Sequence, residues 1–395
     1  MSKIVRPVFG AVALLAVCVG GTGVGATTEP PPDTAAEGPA ACAGGMIEGS
    51  SPDEPVARCS PEHPAPRPLA ERQHLVVSTG FTAEFIAPLL LAQHYGEFER
   101  ENLEVEVVSL PFPDALPQMT GGQVDIAVGA TDAALMNSAS EGHGIMWGMG
   151  NFFPLNAGDV SVPQTGLWAR RDYFSDPENP DLSELSGATI ASAIGIGNST
   201  SYFVEAALAP HDVSITDLNW VTVQSADMVT ALGNGAVDVA WLLDPYWLET
   251  AAEPDDYVLI GTQTFGESIG GYYFGPDSFG ENREASEAFT RAIIRTINTY
   301  LTGDYHADAD VMGVLSETIG QPIEAMAQVP SLLFDWEVHQ GVGDGIQAVL
   351  DTAGVLGFTE PLPEENFVDR SLYEAVIAAA ANDGGIEPHH RGANS

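Results

Sequence analysis

Two short stretches decide the reading of this chain: Gly122-Gln123-Val124-Asp125-Ile126-Ala127 and Gly235-Ala236-Val237-Asp238-Val239-Ala240. Each is a glycine turn followed by an apolar run interrupted by one aspartate, the pattern of a chain entering a buried strand. The match extends outward. Asp114 lies eleven residues before Asp125, and Asp227 lies eleven before Asp238. Around the first stretch the pattern predicts a strand over 74–78, a turn over 79–82, a helix over 83–101, a strand over 103–108, a helix over 114–120 and a strand over 124–128. Around the second it predicts a strand over 188–191, a turn through Gly195-Ile196-Gly197-Asn198, a helix over 199–208, a strand over 220–223, a helix over 226–232 and a strand over 237–241. Strands alternating with helices give a largely parallel sheet, and the repeated order gives two α/β lobes of one plan.

Beyond Gly261 come Tyr272-Tyr273-Phe274 and helical segments with apolar faces over 284–301, 311–319, 322–329, 345–356 and 371–381, read as cladding on the first lobe. That return makes the first lobe discontinuous, 74–167 with 265–381, around a second lobe of 168–264. Two strands then cross between lobes, near Gln164 to Ala169 and Ser268 to Phe274. A double crossing is a hinge, and a hinge between lobes makes a cleft that can close on a ligand.

Residues 1–26 read as an export signal: Lys3 and Arg6, an apolar run from Val8 to Val19, and a small-residue cleavage site at Val24-Gly25-Ala26. The run is shorter than the roughly 20 residues a spanning helix needs. Leu15-Ala16-Val17-Cys18 offers a second reading, a lipid anchor on Cys18, although Val17 is large for the position before such a cut. Residues 27–73 form a Pro/Gly-rich tether, and 382–395 a polar tail. Cys42 and Cys59 lie in the tether, and an oxidising compartment would let them pair. No cofactor and no metal is expected, since His63 is the only histidine near them and no ligand spacing is present.

The net charge is -42, with 55 acidic against 13 basic side chains. Binding to a nucleic-acid backbone is excluded on that ground. The excess of acid fits either life in high salt or a genome-wide bias against lysine.

The residues resemble the nitrate, taurine and sulfonate group of ABC-transporter solute-binding proteins, the NMT1/THI5-like family, which is also similar to thiamine-pyrimidine binders. The resemblance runs over Ala87-Pro88-Leu89-Leu90-Leu91-Ala92, Tyr95 to Val105, Gly122 to Val128, Leu185 to Ala191, and Gly235 to Trp241 ahead of Asp244-Pro245. It implies a type II periplasmic-binding-protein fold, a monomer that delivers a small-molecule solute to the permease and ATPase subunits of an importer, and no chemistry on the ligand. Two positions depart from the family: Asn102 stands where glycine is common, a change that Asn tolerates because it accepts left-handed backbone, and Asp244 stands where glutamate is frequent.

Ligands of open α/β sheets settle outside the carboxyl ends of strands. The turns there supply Phe81 and Thr82, Thr131 and Asp132, Ser199, Thr200 and Ser201, and Asp244 and Tyr246, with Trp241 and Tyr272 as aromatic walls. Ser199-Thr200-Ser201 opens a helix, where free N–H groups attract an anion or a carbonyl, although helix capping also explains a hydroxyl there. Thr131 and Asp132 carry the same pair of readings. Asp244 follows an apolar strand, a place where a carboxylate needs a donor. Asp125 and Asp238 read as structural, binding backbone donors. None of these turns holds an arginine or lysine to clamp an anion, which favours a neutral or amine-bearing solute over a sulfonate.

The rival class is an enzyme of the same fold in pyrimidine or menaquinone metabolism. Against it stand the export signal and the lack of a nucleophile elbow, a metal-ligand cluster or a phosphate loop. A sensory ectodomain is a second rival, opposed by the polar tail in place of a membrane helix.

Overall fold

The computed structural model describes residues 64–80, 82–268 and 270–382. The signal segment, Cys18, Cys42, Cys59, Phe81 and most of the polar tail lie outside the described residues. In chain order the elements are β1 (Gln73–Thr79), α1 (Ala87–His94), β2 (Leu103–Ser109), α2 (Phe112–Thr120), β3 (Ile126–Ala130), α3 (Ala133–Ser140), β4 (Met146–Met149) and β5 (Phe152–Phe153). Next come β6 (Gly166–Arg170), β7 (Thr189–Ser192), α4 (Thr200–Leu208), β8 (Asn219–Thr222), α5 (Ser225–Gly233), β9 (Val239–Leu242), α6 (Trp247–Ala251) and β10 (Tyr257–Gly261). The chain ends with β11 (Gly270–Phe274), α7 (Arg283–Tyr300), α8 (Ala309–Ile319), α9 (Ile323–Met326), β12 (Leu333–Phe334), α10 (Val342–Thr352) and α11 (Ser371–Asn382).

Two five-stranded sheets form, ordered β2-β1-β3-β11-β4 and β8-β7-β9-β6-β10. In both, the first three strands are parallel, the fourth runs antiparallel to the third, and the fifth antiparallel to the fourth. The antiparallel strand of each sheet is the one that follows a crossing: β6 on entry to the second lobe, β11 on return to the first. This is the two-lobed α/β plan that the repeat predicts.

The repeat holds down to individual bonds. Asp125 donates its N–H to the Val76 carbonyl, and its carboxylate accepts the Val76 N–H at 2.7 Å. Asp238 does the same with Thr189, its carboxylate accepting at 2.9 Å. In each case the aspartate pins the entering strand to the first strand of its lobe. Gly122 and Gly235 both have φ near +70°, the left-handed turn that glycine adopts without a Cβ penalty. Replacing either aspartate with alanine leaves a strand N–H without its acceptor, so Asp125→Ala and Asp238→Ala should each cost about 1–3 kcal/mol in denaturant unfolding. Lying in different lobes, their costs should add in the double variant.

Helices cover both faces of each sheet, which explains why the strands read as apolar runs. In the first lobe Leu75, Val77, Ile126, Val128 and Tyr272 face α1, α7, α8 and α11, while Ala127 and Tyr273 face α2, α3 and α10. In the second, Ile190, Val239 and Trp241 pack with Phe203 and Val204 of α4, and Ala191, Ala240 and Leu242 with Met228 and Leu232 of α5. Gly270 and Gly271 let β11 press between its neighbours: a Cβ on Gly271 would lie 1.9 Å from the Met149 carbonyl oxygen.

Two findings add to the sequence reading. Residues 64–72, expected to belong to the tether, are bound to the first lobe: the Arg67 N–H donates to the Glu101 carboxylate, the Leu69 N–H to the Glu101 carbonyl, and Arg295 donates to the Pro64 carbonyl. Asn102 takes the left-handed backbone expected of it, with φ 60°, and its side chain donates to the Leu69 carbonyl. In addition, α10 is not cladding on the first lobe alone, because it packs on α4 as well as α3.

The crossing segments, 150–165 and 262–268, are bonded to each other. The Asn151 N–H donates to the Ser268 hydroxyl, the Gln263 amide to the Phe152 carbonyl, and the Thr262 hydroxyl to the Thr165 carbonyl. Among the described residues no helix is long and apolar enough to cross a membrane.

Candidate functional site

The turns at the carboxyl ends of β3 and β7 meet each other across the lobes. The Ser199 N–H donates to the Thr131 carbonyl at 2.8 Å, the Ala133 N–H to the Gly197 carbonyl at 3.0 Å, and Asp132 pairs with Asn198 as an isolated antiparallel bridge. The Thr131 hydroxyl is bonded to the Tyr273 hydroxyl at 2.7 Å inside the first lobe. Asp132 caps α3, its carboxylate accepting from the Ala134 and Leu135 N–H groups. Burial outweighs those two bonds and pushes the Asp132 carboxyl up to about 6. At the start of α4 the side chain that accepts a helix N–H is that of Asn198, and Ser199 makes no side-chain capping bond. The Asn198 side chain accepts from the Thr200 N–H at 2.8 Å, and the Ser201 hydroxyl donates to the Ile196 carbonyl. These predicted residues are therefore together, as a seam between the lobes.

Tyr202, the next residue of α4, carries the seam onto α10. Its ring packs against cores of both lobes and lies beside Gly345, where a Cβ would come within 2.8 Å of it. Burial and the nearby Glu267 push its hydroxyl up to about 12.

The remaining predictions separate. Thr82 is exposed at the end of the first turn. Trp241 and Tyr272, expected as cleft walls, are 3% and 0% exposed inside the lobe cores, where Trp241 stacks on Phe203 and Tyr272 packs edge-on to Phe289. Tyr246 is partly buried at the start of α6, one residue beyond the cis Asp244–Pro245 peptide.

Asp244 sits elsewhere in the inter-lobe surface, on a small recess. Its apolar wall is Pro154, Leu155, Pro330 and Leu332, and its polar side is Asn156, Gln164, Thr165 and Asp244, with Trp247 beneath. The recess offers about 10 Å³ to the centre of a water molecule, room for about one. The Thr165 hydroxyl, at 3.1 Å, and the Trp247 indole N–H both donate to Asp244 Oδ1. Burial pushes the Asp244 carboxyl up to about 6 despite these bonds, and the charge of Glu84 adds to the rise.

Glu84 belongs to the first lobe and forms a second polar cluster facing Asp244. His306 Nε2 lies 2.6 Å from Glu84 Oε1, its Nδ1 lies 3.0 Å from the Val329 carbonyl, and the Tyr305 hydroxyl also donates to Glu84. Both ring nitrogens thus face oxygen acceptors, which a doubly protonated imidazolium satisfies. Burial opposes the charged ring, but the hydrogen bond and charge of Glu84 outweigh it and raise the pKa of His306. Among the described residues the arginines are engaged elsewhere, for example Arg291 and Arg295 with Glu97 and Glu101, Arg170 with Asp172, and Arg370 with Glu364.

Glu84, Gln164, Thr165 and His306 were not among the residues predicted from sequence. They come from three separated segments, and no local spacing marks them. The only available signal was the position of Gln164 and Thr165 at the expected crossing into the second lobe. No group of three or more potential metal ligands is found among the described residues.

No curated protein matches the chain. Solved structures do. The alkanesulfonate-binding protein of Xanthomonas axonopodis pv. citri, bound to MOPS, aligns over 78% of this chain and 99% of its own, with 15% identity and a TM-score of 0.52. The periplasmic aliphatic sulphonate-binding protein of Escherichia coli aligns over 75% and 92%, with 16% identity and a TM-score of 0.54. The periplasmic nitrate-binding protein of Synechocystis PCC 6803 aligns over 78% and 89%, with 13% identity and a TM-score of 0.53. At such identities the likeness is one of fold, and these neighbours have the periplasmic-binding-protein fold. The NMT1/THI5-like family model matches residues 84–302, a span that includes most of the first-lobe sheet, all of the second lobe, both crossings and Asp244, and the chain is accordingly a member of the NMT1/THI5-like family.

Proposed function

We propose that this protein is the extracytoplasmic solute-binding component of an ABC importer of the nitrate, sulfonate, taurine or pyrimidine-precursor type, and that it captures a small organic solute between its lobes. The observation that carries this reading is the duplicated architecture itself. Two sheets of one plan turn the carboxyl ends of β3, β7 and β9 towards a shared surface, and two mutually bonded crossings join them. A solute that touches both lobes shifts such a molecule towards its closed form, whereas one that touches a single lobe does not. The neighbours named for sulfonate and nitrate binding support the reading through their shared fold.

Turnover of the solute is not part of it. The imidazole of His306 is spent between Glu84 and the Val329 carbonyl, so neither ring nitrogen is free to take a proton from a substrate. In this reading a permease and an ATPase receive the solute, and the N-terminal segment exports the chain and, by way of Cys18 or the tether, keeps it near the membrane.

Native mass spectrometry of freshly purified protein, followed by small-angle scattering before and after removal of any co-purified molecule, tests the proposal. The expected result is a small organic molecule held one to one, whose removal increases the radius of gyration. Conversion of that molecule into a product by the purified protein would instead favour the enzyme reading.

A further inference from the structure

We propose that the recess beside Asp244 receives the ammonium head of an organic amine, seated between the Asp244 carboxylate and the side-chain oxygen of Gln164. The inference rests on the solute-binding reading and names the chemical class of its ligand.

The first observation is an acceptor with nothing to accept. Gln164 is 3% exposed, and its Oε1 has no hydrogen-bond partner. The amide cannot be turned round to remove the problem. Its Nε2 donates to the carbonyls of Asn156 at 2.7 Å, Asp159 at 2.8 Å and Val162 at 3.3 Å, and a flip would set oxygen against all three. The second is the carboxylate across the recess. Thr165 and Trp247 both donate to Asp244 Oδ1, and no described residue donates to Oδ2. Both residues line the recess, whose other walls are two prolines and two leucines with Asn156, Thr165 and Trp247.

Charge decides what fills it. Glu84 acts on Asp244 from the other lobe, so two carboxylates share this surface. One cation, His306, faces them, and it is already bound to Glu84. The balance is one uncompensated negative charge in a place that penalises it. A water molecule would fit, yet would leave that charge standing. An ammonium head is close to water in size, carries three donors and cancels the charge. An anion would face the Asp244 carboxylate and be repelled by it.

The test uses three solutes with one tail and different heads: propylammonium, 1-propanol and propane-1-sulfonate, titrated into the solute-stripped mature protein and followed by calorimetry and ligand-observed NMR. Propylammonium should bind at least about tenfold more tightly than 1-propanol, with no detectable binding of the sulfonate. Asp244→Asn keeps the shape and the acceptor for Thr165 and Trp247, and should abolish the preference. Should that variant fail to fold, ¹³C titration of Asp244 in the wild type remains: propylammonium should lower its pKa. Equal binding of ammonium and alcohol, or a recess occupied by water alone, overturns the inference. Binding of the sulfonate with lobe closure in scattering also overturns it and leaves the solute-binding reading intact. No heat from any of the three, together with no co-purified molecule, removes both.

Discussion

Arg295→Ala should be the most destabilising single substitution in the first lobe, lowering the free energy of unfolding by about 3–5 kcal/mol. The side chain is 2% exposed and touches Glu97 and Glu101, 1% and 0% exposed, with nitrogen–oxygen distances of 2.6 and 2.7 Å. Arg291 reaches the other oxygen of Glu101 at 2.7 Å, and the Tyr300 hydroxyl donates to Glu97 at 3.2 Å. Two guanidinium groups one helical turn apart on α7 thus hold two carboxylates from the turn before β2. Taking one cation away leaves a carboxylate buried and unpaired, which costs far more than the pair contributes when intact. Arg295→Ala combined with Glu97→Gln should recover part of the loss, because the second change removes the stranded charge.

Urea unfolding reads the effect as a lower midpoint at an unchanged slope. The same variant should speed hydrogen exchange at the Leu69 amide, since Arg295 and Arg291 also bind the carbonyls of Pro64 and Arg67 and so fasten the segment that enters the fold. A loss below about 1 kcal/mol would mean that water reaches the cluster and that it behaves as a surface pair.

The parts of this molecule that the sequence disclosed are those in which one residue's role is set by its neighbours in the chain. Asp125 and Asp238 are legible because a carboxylate entering a strand meets the backbone of the adjacent strand in the same way in both lobes, and the repeat displays that twice. Asn102 is legible because a left-handed turn restricts what can occupy it. Trp241 and Tyr272 were placed at the cleft and lie in cores for a reason of the same kind. When helices cover both faces of a sheet, every strand position is apolar, and alternation no longer separates a wall from an interior. Asp132 and Ser199 to Ser201 carry two readings, cap or ligand contact; Asp132 makes the backbone bonds that a cap requires, whereas at α4 the accepting side chain is that of Asn198. Glu84 and His306 were beyond reach. Each is an ordinary polar residue in its own segment, and only the return of the chain from the second lobe brings 305–332 against the turn after β1.

Stability should fall as pH rises from about 4 to 8, the reverse of ordinary acid denaturation. Asp132 and Asp244 are both moved by burial from 3.8 to about 6. Between those values the unfolded chain has released the proton and the native chain retains it. The native state therefore binds more protons, and raising the pH withdraws that advantage, at roughly 3 kcal/mol for each group if the full shift is realised. The advantage is complete below about 4 and gone above about 6. His306 continues the trend in the same direction. Its raised pKa gives stability that is present below 6.5 and lost as pH climbs through the folded value. Asp125 and Asp344, also raised by burial, add to the same slope.

Asp132→Asn isolates one contribution. Asparagine caps a helix as well as aspartate does, so the α3 bonds survive while the buried charge is removed. The variant should be more stable than wild type at pH 7.5, by up to about 3 kcal/mol, and no more stable at pH 4. Asp244→Asn should follow the same course, and urea midpoints across the range measure both. Parallel curves for variant and wild type would show that the carboxyls are hydrated in the folded protein. Because Asp132 lies on the seam with Asn198 and Asp244 on the recess between lobes, parting the lobes rehydrates both. Part of the slope therefore belongs to opening rather than unfolding, and the radius of gyration of solute-free protein should be larger at pH 8 than at pH 5. Propylammonium, by compensating Asp244, should reduce that difference, whereas 1-propanol should leave it unchanged.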